Sequence, residues 1–289
     1  MPPPESIFIK AFVSAYQASL AIIEVYQKGV DVEIKDDGSP ITIADRRSND
    51  IIIKALSTTP YPVISEEQEI PPYPERKNWN YYWLVDPLDG TKEFVNRNGE
   101  FTVNIALIKD QTPVWGIIIV PVLQTAYFST PFTGALKLPN LNFMNKMNHQ
   151  NLSLEDIMEH SQQLISCKSL EDTASSVVLI SKSHHNPKTI DILNLPKEKR
   201  DKTELVSKGS SLKFCVMAEG LAHYYPRRNK TWEWDIAAGH AILVAAGGAL
   251  ISYPSNQEFL YNKQNLINGG FIAFASRSEA LKFIAESSL

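Results

Sequence analysis

Apolar positions recur at helical spacing near the start of the chain. Ile7, Phe8, Ala11, Phe12, Ala15, Ala18, Ile22 and Ile23 share one stripe, and Gly29 offers a stop. This predicts an amphipathic helix over 7–23. Asp36-Asp37-Gly38-Ser39-Pro40 has turn chemistry, and Ala44, Ser48, Ile51, Ile52 and Ala55 mark a second helix that ends before Pro60. The period then changes. Pro62-Val63-Ile64-Ser65 reads as a short strand running into Glu66-Glu67. Tyr81-Tyr82-Trp83-Leu84-Val85 reads as a strand because aromatic and β-branched residues suit a buried pleated surface. It is expected to stop at Asp86-Pro87, since proline has no N–H to give a ladder. Strands over 101–108, 114–120 and 125–129, joined by short turns, point to antiparallel pairing.

Residues 133–173 break this pattern. They are rich in Asn, Gln and Met, hold one short helix over 153–163, and read as a connection or insertion. Beyond them, strands over 176–180, 204–206, 221–225 and 249–252 alternate with helices over 187–193, 211–219 and 236–246. That alternation favours an α/β arrangement. The chain therefore divides into an N-terminal α+β half, 1–139, and a C-terminal α/β half, 140–289, with the irregular segment near 134–173. Its 289 residues suit one large domain or two apposed halves.

A hydrophobic content of 44% with 21% charged residues excludes wholesale disorder. The net charge of −4 supplies no basic footprint, which argues against a nucleic-acid polymer as partner. A small anionic substrate stays compatible with it, because bound metal ions outweigh a mildly acidic surface locally. Cys167 and Cys215 lack CxxC spacing, against a disulfide framework or a thiolate site and in keeping with a reducing compartment. Met1-Pro2-Pro3-Pro4-Glu5-Ser6 lacks the basic start and apolar run of a signal peptide. The longest apolar stretches, 114–123 and 241–251, fall short of the roughly 20 residues a membrane span takes. The expectation is a soluble cytoplasmic protein without a transmembrane segment, peripheral attachment at the inner face of the membrane being left open.

Candidate chemistry sits where strands end and helices begin. Asp86 and Asp89 bracket Pro87-Leu88, so a turn there can present two carboxylates and the Leu88 carbonyl to one side. Such hard oxygen ligands suit Mg²⁺, Mn²⁺ or Ca²⁺. Alone, the segment reads more readily as an Asp-Pro turn with a helix cap at Asp89. Its company shifts the balance. Gly90-Thr91 opens a short helix whose amides and permissive glycine suit a phosphate. Glu66-Glu67 ends another strand, and Asp235, after Trp232-Glu233-Trp234, starts a helix, as does Asp45. For each of these two, a helix cap is the competing reading.

Taken in order, Asp37-Gly38-Ser39-Pro40-Ile41-Thr42-Ile43-Ala44-Asp45, Ser65-Glu66-Glu67, Asp86 to Phe94 and Trp234-Asp235-Ile236-Ala237-Ala238-Gly239 resemble the inositol monophosphatase-like superfamily. Lys92-Glu93-Phe94, the block from Arg97 to Ile108, and Gly209-Ser210-Ser211-Leu212-Lys213-Phe214-Cys215 look like its 3′(2′),5′-bisphosphate nucleotidase branch. The resemblance implies a layered αβαβα sugar-phosphatase-type fold, with an antiparallel half followed by a mixed α/β half. It implies a lithium-sensitive, Mg²⁺-dependent phosphatase of sulfur metabolism that removes the 3′-phosphate of 3′-phosphoadenosine 5′-phosphate. Carried over, Glu66, Asp86, the Leu88 carbonyl, Asp89 and Asp235 become the shell of two or three Mg²⁺ ions, and Glu67 either a ligand or a support behind one. Thr91, backed by Asp45, would orient or deprotonate the attacking water, with Glu66 beside them in the catalytic set. Gly90, Thr91, Lys92, Asp235, Ser210, Ser211 and Lys213 would hold the small nucleotide bisphosphate. His184 and Arg227 are further candidates. Lys213 reads equally as a phosphate partner and as an exposed helix residue, and Trp232 and Trp234 as packing residues rather than a platform for adenine. Residues 134–173 and the polar run Asn229-Lys230-Thr231-Trp232-Glu233 depart from the pattern. An inositol or sugar monophosphatase on the same fold is the near alternative, a non-catalytic metal- or nucleotide-binding protein the distant one; monomer and homodimer both stay open.

Overall fold

The computed structural model describes residues 3–29, 32–34, 40–130, 133–149, 151–165, 175–182, 187–195 and 197–287; residues 36–39 of the expected turn, Cys167 and His184 lie outside them. Helix α1 (Glu5–Lys28) ends at Gly29, whose φ of +84° is open to glycine because it has no Cβ. By length and composition alone α1 could cross a membrane, being longer than either apolar stretch singled out from the sequence. In the structure its apolar face, including Phe8, Ala11, Phe12 and Ile22, is packed into the protein core. A short ladder of β1 (Val32–Ile34) with β2 (Pro40–Thr42) leads into α2 (Ile43–Leu56). Thr42 and Asp45 form its capping box, satisfying donors the first turn leaves open.

Then follow β3 (Val63–Ser65), α3 (Tyr73–Arg76), β4 (Tyr81–Asp89), α4 (Thr91–Val95), β5 (Thr102–Lys109), β6 (Thr112–Val120), β7 (Thr125–Thr130) and β8 (Gly134–Leu138). A 3₁₀ helix (Leu141–Lys146), α5 (Leu154–Glu159) and β9 (Gln162–Leu164) come next. Strands β3 to β9 form one seven-stranded sheet in sequence order, β3 and β4 parallel and the remaining pairs antiparallel. Two expectations change here. First, β4 does not stop at Asp86-Pro87. It runs on to Asp89 through a bulge, Asp86 pairing with Asn104 and Asp89 with Thr102, and Pro87 sits in the bulge where no ladder bond is asked of its nitrogen. Second, the segment read as an irregular connection holds β8 and β9, and its helix is shorter than expected because Gln162 already belongs to a strand.

The second sheet has five strands in the order β11-β10-β12-β16-β14: β10 (Ser176–Ser181), β11 (Thr203–Lys208), β12 (Tyr224–Arg227), β14 (Ala249–Tyr253) and β16 (Gly270–Phe274). Strand β10 runs parallel to β11 and β12, while β16 runs antiparallel to β12 and β14. The remaining elements are a 3₁₀ helix (Pro187–Leu193) where an α-helix was expected, α6 (Lys197–Arg200), α7 (Leu212–Ala218), α8 (Glu233–Ala245) and α9 (Arg277–Glu286). Strands β13 (Thr231–Trp232) and β15 (Ile267–Asn268) pair beside α8.

Three buried apolar clusters define the layers. One lies between α1, α2 and the seven-stranded sheet. Another joins that sheet's opposite face to α7, α8 and the five-stranded sheet. The third covers the outer face of the five-stranded sheet with α9 and Pro187–Leu193. This is the expected αβαβα layering. It brings the ends of β3 and β4 close to the starts of α7 and α8.

Candidate active site

The bulge in β4 shapes the acidic end of the site. Asp86 Oδ1 accepts the Leu88 N–H at 3.0 Å, and the Pro87 carbonyl accepts the Ser48 hydroxyl at 2.6 Å, which fixes the bulge against α2. Gly90 then adopts φ +90°, and a Cβ there would come within 3.2–3.3 Å of the Glu100 carbonyl, Glu93 and Ser210. The turn therefore favours glycine for its conformation, and a side chain there would also be tight against its neighbours. From the parallel neighbour β3, the Glu66 N–H reaches the Val85 carbonyl at 3.1 Å. Asp235 enters from the first turn of α8, where it also accepts the Trp232 N–H at 2.9 Å. Glu66, Asp86, Leu88, Asp89, Gly90, Thr91, Lys92 and Asp235 all line one cavity of about 270 Å³, together with Ser210, Ser211, Lys213 and Arg227. Glu67 stands behind that wall, near enough to act on Asp86 and Asp45 through its charge.

Burial, then repulsion from Glu66, Asp89 and Asp235, pushes the Asp86 carboxyl well above the usual carboxylate range. Asp235 moves the same way for the same reasons, with Asp89 and Glu66 as its strongest neighbours. Asp89 is raised by burial but held back by bonds from Ser210 and Ser211 and by the charge of Lys213. The charged groups acting most strongly on buried Asp86 are all acidic, and a buried charge without a cation needs a proton or a metal. Among the described residues no three Asp, Glu, His or Cys side chains close into a ready cage. Magnesium does not ask for one. It keeps several waters and takes one or two carboxylates plus phosphate oxygens, so this oxygen-only open wall fits it.

Asp45 serves two elements at once. Its Oδ2 accepts the Thr42 N–H at 2.8 Å and hydroxyl at 2.6 Å, while Oδ1 accepts the Thr91 hydroxyl at 3.1 Å. The cap reading and the site reading are thus one arrangement. Burial raises the Asp45 carboxyl against the pull of Thr42.

Ser210 and Ser211 line the cavity, but their bonds run to Asp89. Its Oδ2 accepts the Ser210 hydroxyl at 2.7 Å and the Ser211 N–H at 2.6 Å. Thr102 and Asn104, which sequence reasoning quoted only as part of a motif, complete the hold. Thr102 bonds both serine hydroxyls, and Asn104 Oδ1 accepts from Ser211 at 2.8 Å. The available signal was two polar residues two apart in an otherwise apolar strand, hence on one face. Gly209 makes its close approach to Glu93 and Glu100, whose atoms a Cβ would meet at 2.8 and 3.0 Å, and not to open cavity.

Lys213 is buried, so the exposed-helix alternative fails. Its ammonium donates to the carbonyls of Lys208 at 3.0 Å and Ser210 at 2.6 Å and lies over the Tyr225 ring. Burial pushes it down to about 8, against the pull of Asp89. Among the described residues Arg227 Nε is buried without a hydrogen-bond partner. Trp232 and Trp234 stack on each other, centroids 4.8 Å apart and planes 7° apart, and Trp232 also lines the cavity.

Comparison with known proteins places this geometry. The profile of the inositol monophosphatase family matches residues 4–287. The 3'(2'),5'-bisphosphate nucleotidase CysQ of Buchnera aphidicola is 39% identical over 267 residues, which cover 90% of this chain and 91% of that protein. The chain belongs to the inositol monophosphatase family. Within it the chain falls in the CysQ branch. The CysQ of Salmonella typhimurium is 38% identical over 261 residues, 89% of this chain and 95% of that one. The crystal structure of CysQ from Bacteroides thetaiotaomicron superposes with a TM-score of 0.82 at 39% identity, covering 94% of this chain and 98% of that chain. Family and fold both agree with the expectation from the motifs.

Proposed function

We propose that this chain is a Mg²⁺-dependent 3′(2′),5′-bisphosphate nucleotidase. It hydrolyses the 3′-phosphate of 3′-phosphoadenosine 5′-phosphate to give AMP and phosphate in the cytoplasm. The observation that carries the reading is a single cavity shared by carboxylates and by the cations Lys92, Lys213 and Arg227. A bisphosphate presents two anionic groups, and such a cavity has a place for each. Glu66, Asp86, Asp89, Asp235 and the Leu88 carbonyl would hold the metal that receives one phosphate. The other meets Lys213, two of whose three donors are taken by carbonyls, and the unpartnered Arg227 Nε. The names of the CysQ relatives support the same substrate class.

Bound magnesium supplies Lewis-acid stabilisation of the charge developing on the transferred phosphoryl group. The chain's own residues do the rest. Asp45, with Oδ2 saturated by Thr42, keeps Oδ1 for the Thr91 hydroxyl and draws that proton toward itself. The Thr91 oxygen is thereby left as an acceptor that orients an attacking water and takes up its proton. Ser210, Ser211 and Asn104 hold Asp89 in one orientation, so no reorganisation is needed when substrate arrives.

The decisive measurement is kcat/KM for 3′-phosphoadenosine 5′-phosphate against inositol 1-phosphate in the same Mg²⁺ buffer. The nucleotide should win clearly. An advantage of about tenfold for the inositol ester, about 1.4 kcal/mol in barrier, would turn the assignment to the inositol phosphatases.

A further inference from the structure

Glu233 opens α8, and its carboxylate is wholly buried yet lies outside the cavity lining. Its Oε2 accepts the Asn262 N–H at 2.7 Å, and its Oε1 accepts the Lys263 N–H at 3.1 Å and the Lys263 ammonium at 2.6 Å. The same ammonium donates to Asn268 Oδ1 at 2.8 Å, and the Asn268 amide donates back to the Trp232 carbonyl at 2.8 Å. On the far side, Arg76 donates to Asn262 Oδ1 at 2.6 Å and to the Gln264 carbonyl at 2.9 Å, and Asn262 Nδ2 returns a bond to the Arg76 carbonyl at 2.7 Å. The backbone adds the pairing of β13 with β15 and a 3.0 Å bond from the Glu233 N–H to the Leu266 carbonyl.

This network bolts the first turn of α8 to the loop before β16. That turn carries Trp232 one residue before Glu233 and Asp235 two residues after it, and both of those line the cavity. An apolar residue would fill the same space without the desolvation cost of a buried carboxylate, so packing alone does not account for Glu233. We infer that Glu233, held by Lys263, is a positioning residue for Asp235. It sets where the Asp235 carboxylate stands against Asp86 and Asp89, and thereby the affinity of the site for a divalent cation. The inference rests on reading Asp235 as a metal ligand. Groups that orient a ligand from behind typically change metal affinity 10- to 100-fold when removed.

The test is a calorimetric titration of chelator-stripped protein with Mg²⁺ alone, without substrate. Glu233→Gln leaves a backbone N–H facing an amide, and Lys263→Met removes the cation while sparing the carboxylate. Each should weaken Mg²⁺ binding by about tenfold or more, and Lys263→Arg should restore most of it. Ile272→Val, in the core beyond the second sheet, should lower the melting temperature without moving the Mg²⁺ affinity. If Glu233→Gln does not fold, Lys263→Met decides. Wild-type affinity in a folded Lys263→Met protein overturns the inference, and so does equal weakening in Ile272→Val, which would trace the effect to general loosening. A wild-type protein that takes up no Mg²⁺ would instead overturn the reading of Asp235 as a ligand.

Discussion

Asp89 divides its work between its two oxygens. Oδ2 accepts from Ser210, Ser211 and Asn104, and Asp89 also faces the cavity with its remaining valence. Asparagine can keep its oxygen toward those three donors and turn its amide to the cavity. Asp89→Asn should therefore melt within a few degrees of wild type while Mg²⁺-dependent turnover falls by about 100-fold or more, because a ligand oxygen has become a donor. Unchanged turnover in that variant would remove Asp89 from the metal mechanism. The carboxylates lining the cavity were legible at this scale because spacing and type place them at strand ends and helix starts. What Lys213 does was not legible. Helical position alone leaves its side chain free to point outward, and only packing against Tyr225 and the carbonyls of Lys208 and Ser210 shows it turned in. Ser210 and Ser211, expected at the nucleotide, line the cavity, and their bonds to Asp89 came to light only in the structure. A motif names residues near a ligand but does not say whether they touch it or hold what touches it.

At the scale of elements, α8 docks between the sheets through missing side chains. A Cβ on Gly239 would lie 2.3 Å from Phe214 Cδ2 on α7, and one on Gly116 of β6 would lie 2.6 Å from the Ala238 carbonyl. Helix propensity favours Gly239→Ala by about 1 kcal/mol. Overpacking of a well-filled core typically costs about 1–3 kcal/mol, and here the clash is with a ring base that α7 and Tyr225 hold in place. The clash should win. Urea unfolding of Gly239→Ala is expected to show a net loss of up to about 2 kcal/mol, and a gain in stability would mean that Phe214 yields freely. Helix α8 was predicted from its apolar run, though a helix buried all round has no polar face to mark its orientation. Strands β8 and β9 were not predicted. Gly134-Ala135-Leu136-Lys137-Leu138 and Gln162-Gln163-Leu164 are short and mixed, and they become strands because β7 offers β8 an edge and β8 then offers one to β9, a tertiary fact that local pattern does not carry. Proline misled at Pro87 for the opposite reason: the rule against proline in a ladder holds, but the bulge excuses it.

Over the whole molecule, the layered order followed from the family resemblance, the change of period along the chain marking only an antiparallel run and an α/β run, while the depth at which polar groups are buried was not legible. His240 on α8 shows what that depth does to stability. It is 7% exposed, its Nδ1 lies 3.0 Å from the Tyr261 hydroxyl, and burial pushes it down to about 3 from an ordinary value of 6.5. The folded protein keeps this ring neutral where the unfolded chain protonates it. Between about pH 3 and 6.5 the unfolded state therefore binds the extra proton, and stability rises with pH in that window. The contribution is complete above pH 6.5 and is lost as pH falls below it, by at most about 1.4 kcal/mol per unit. The buried carboxylates Asp86 and Asp235 act in the opposite sense in metal-free protein, since their raised values favour the folded state at low pH. A difference measurement removes them. Unfolding free energies of wild type and His240→Asn, which keeps a partner for Tyr261 but does not titrate, should differ by a constant above pH 7. Below pH 6.5 the wild type should lose ground steadily, by about 1 kcal/mol per unit. A difference that stays flat from pH 7.5 to 4.5 would show that the folded protein accommodates the imidazolium, and that the contact between α8 and the Tyr261 loop opens more easily than its burial implies.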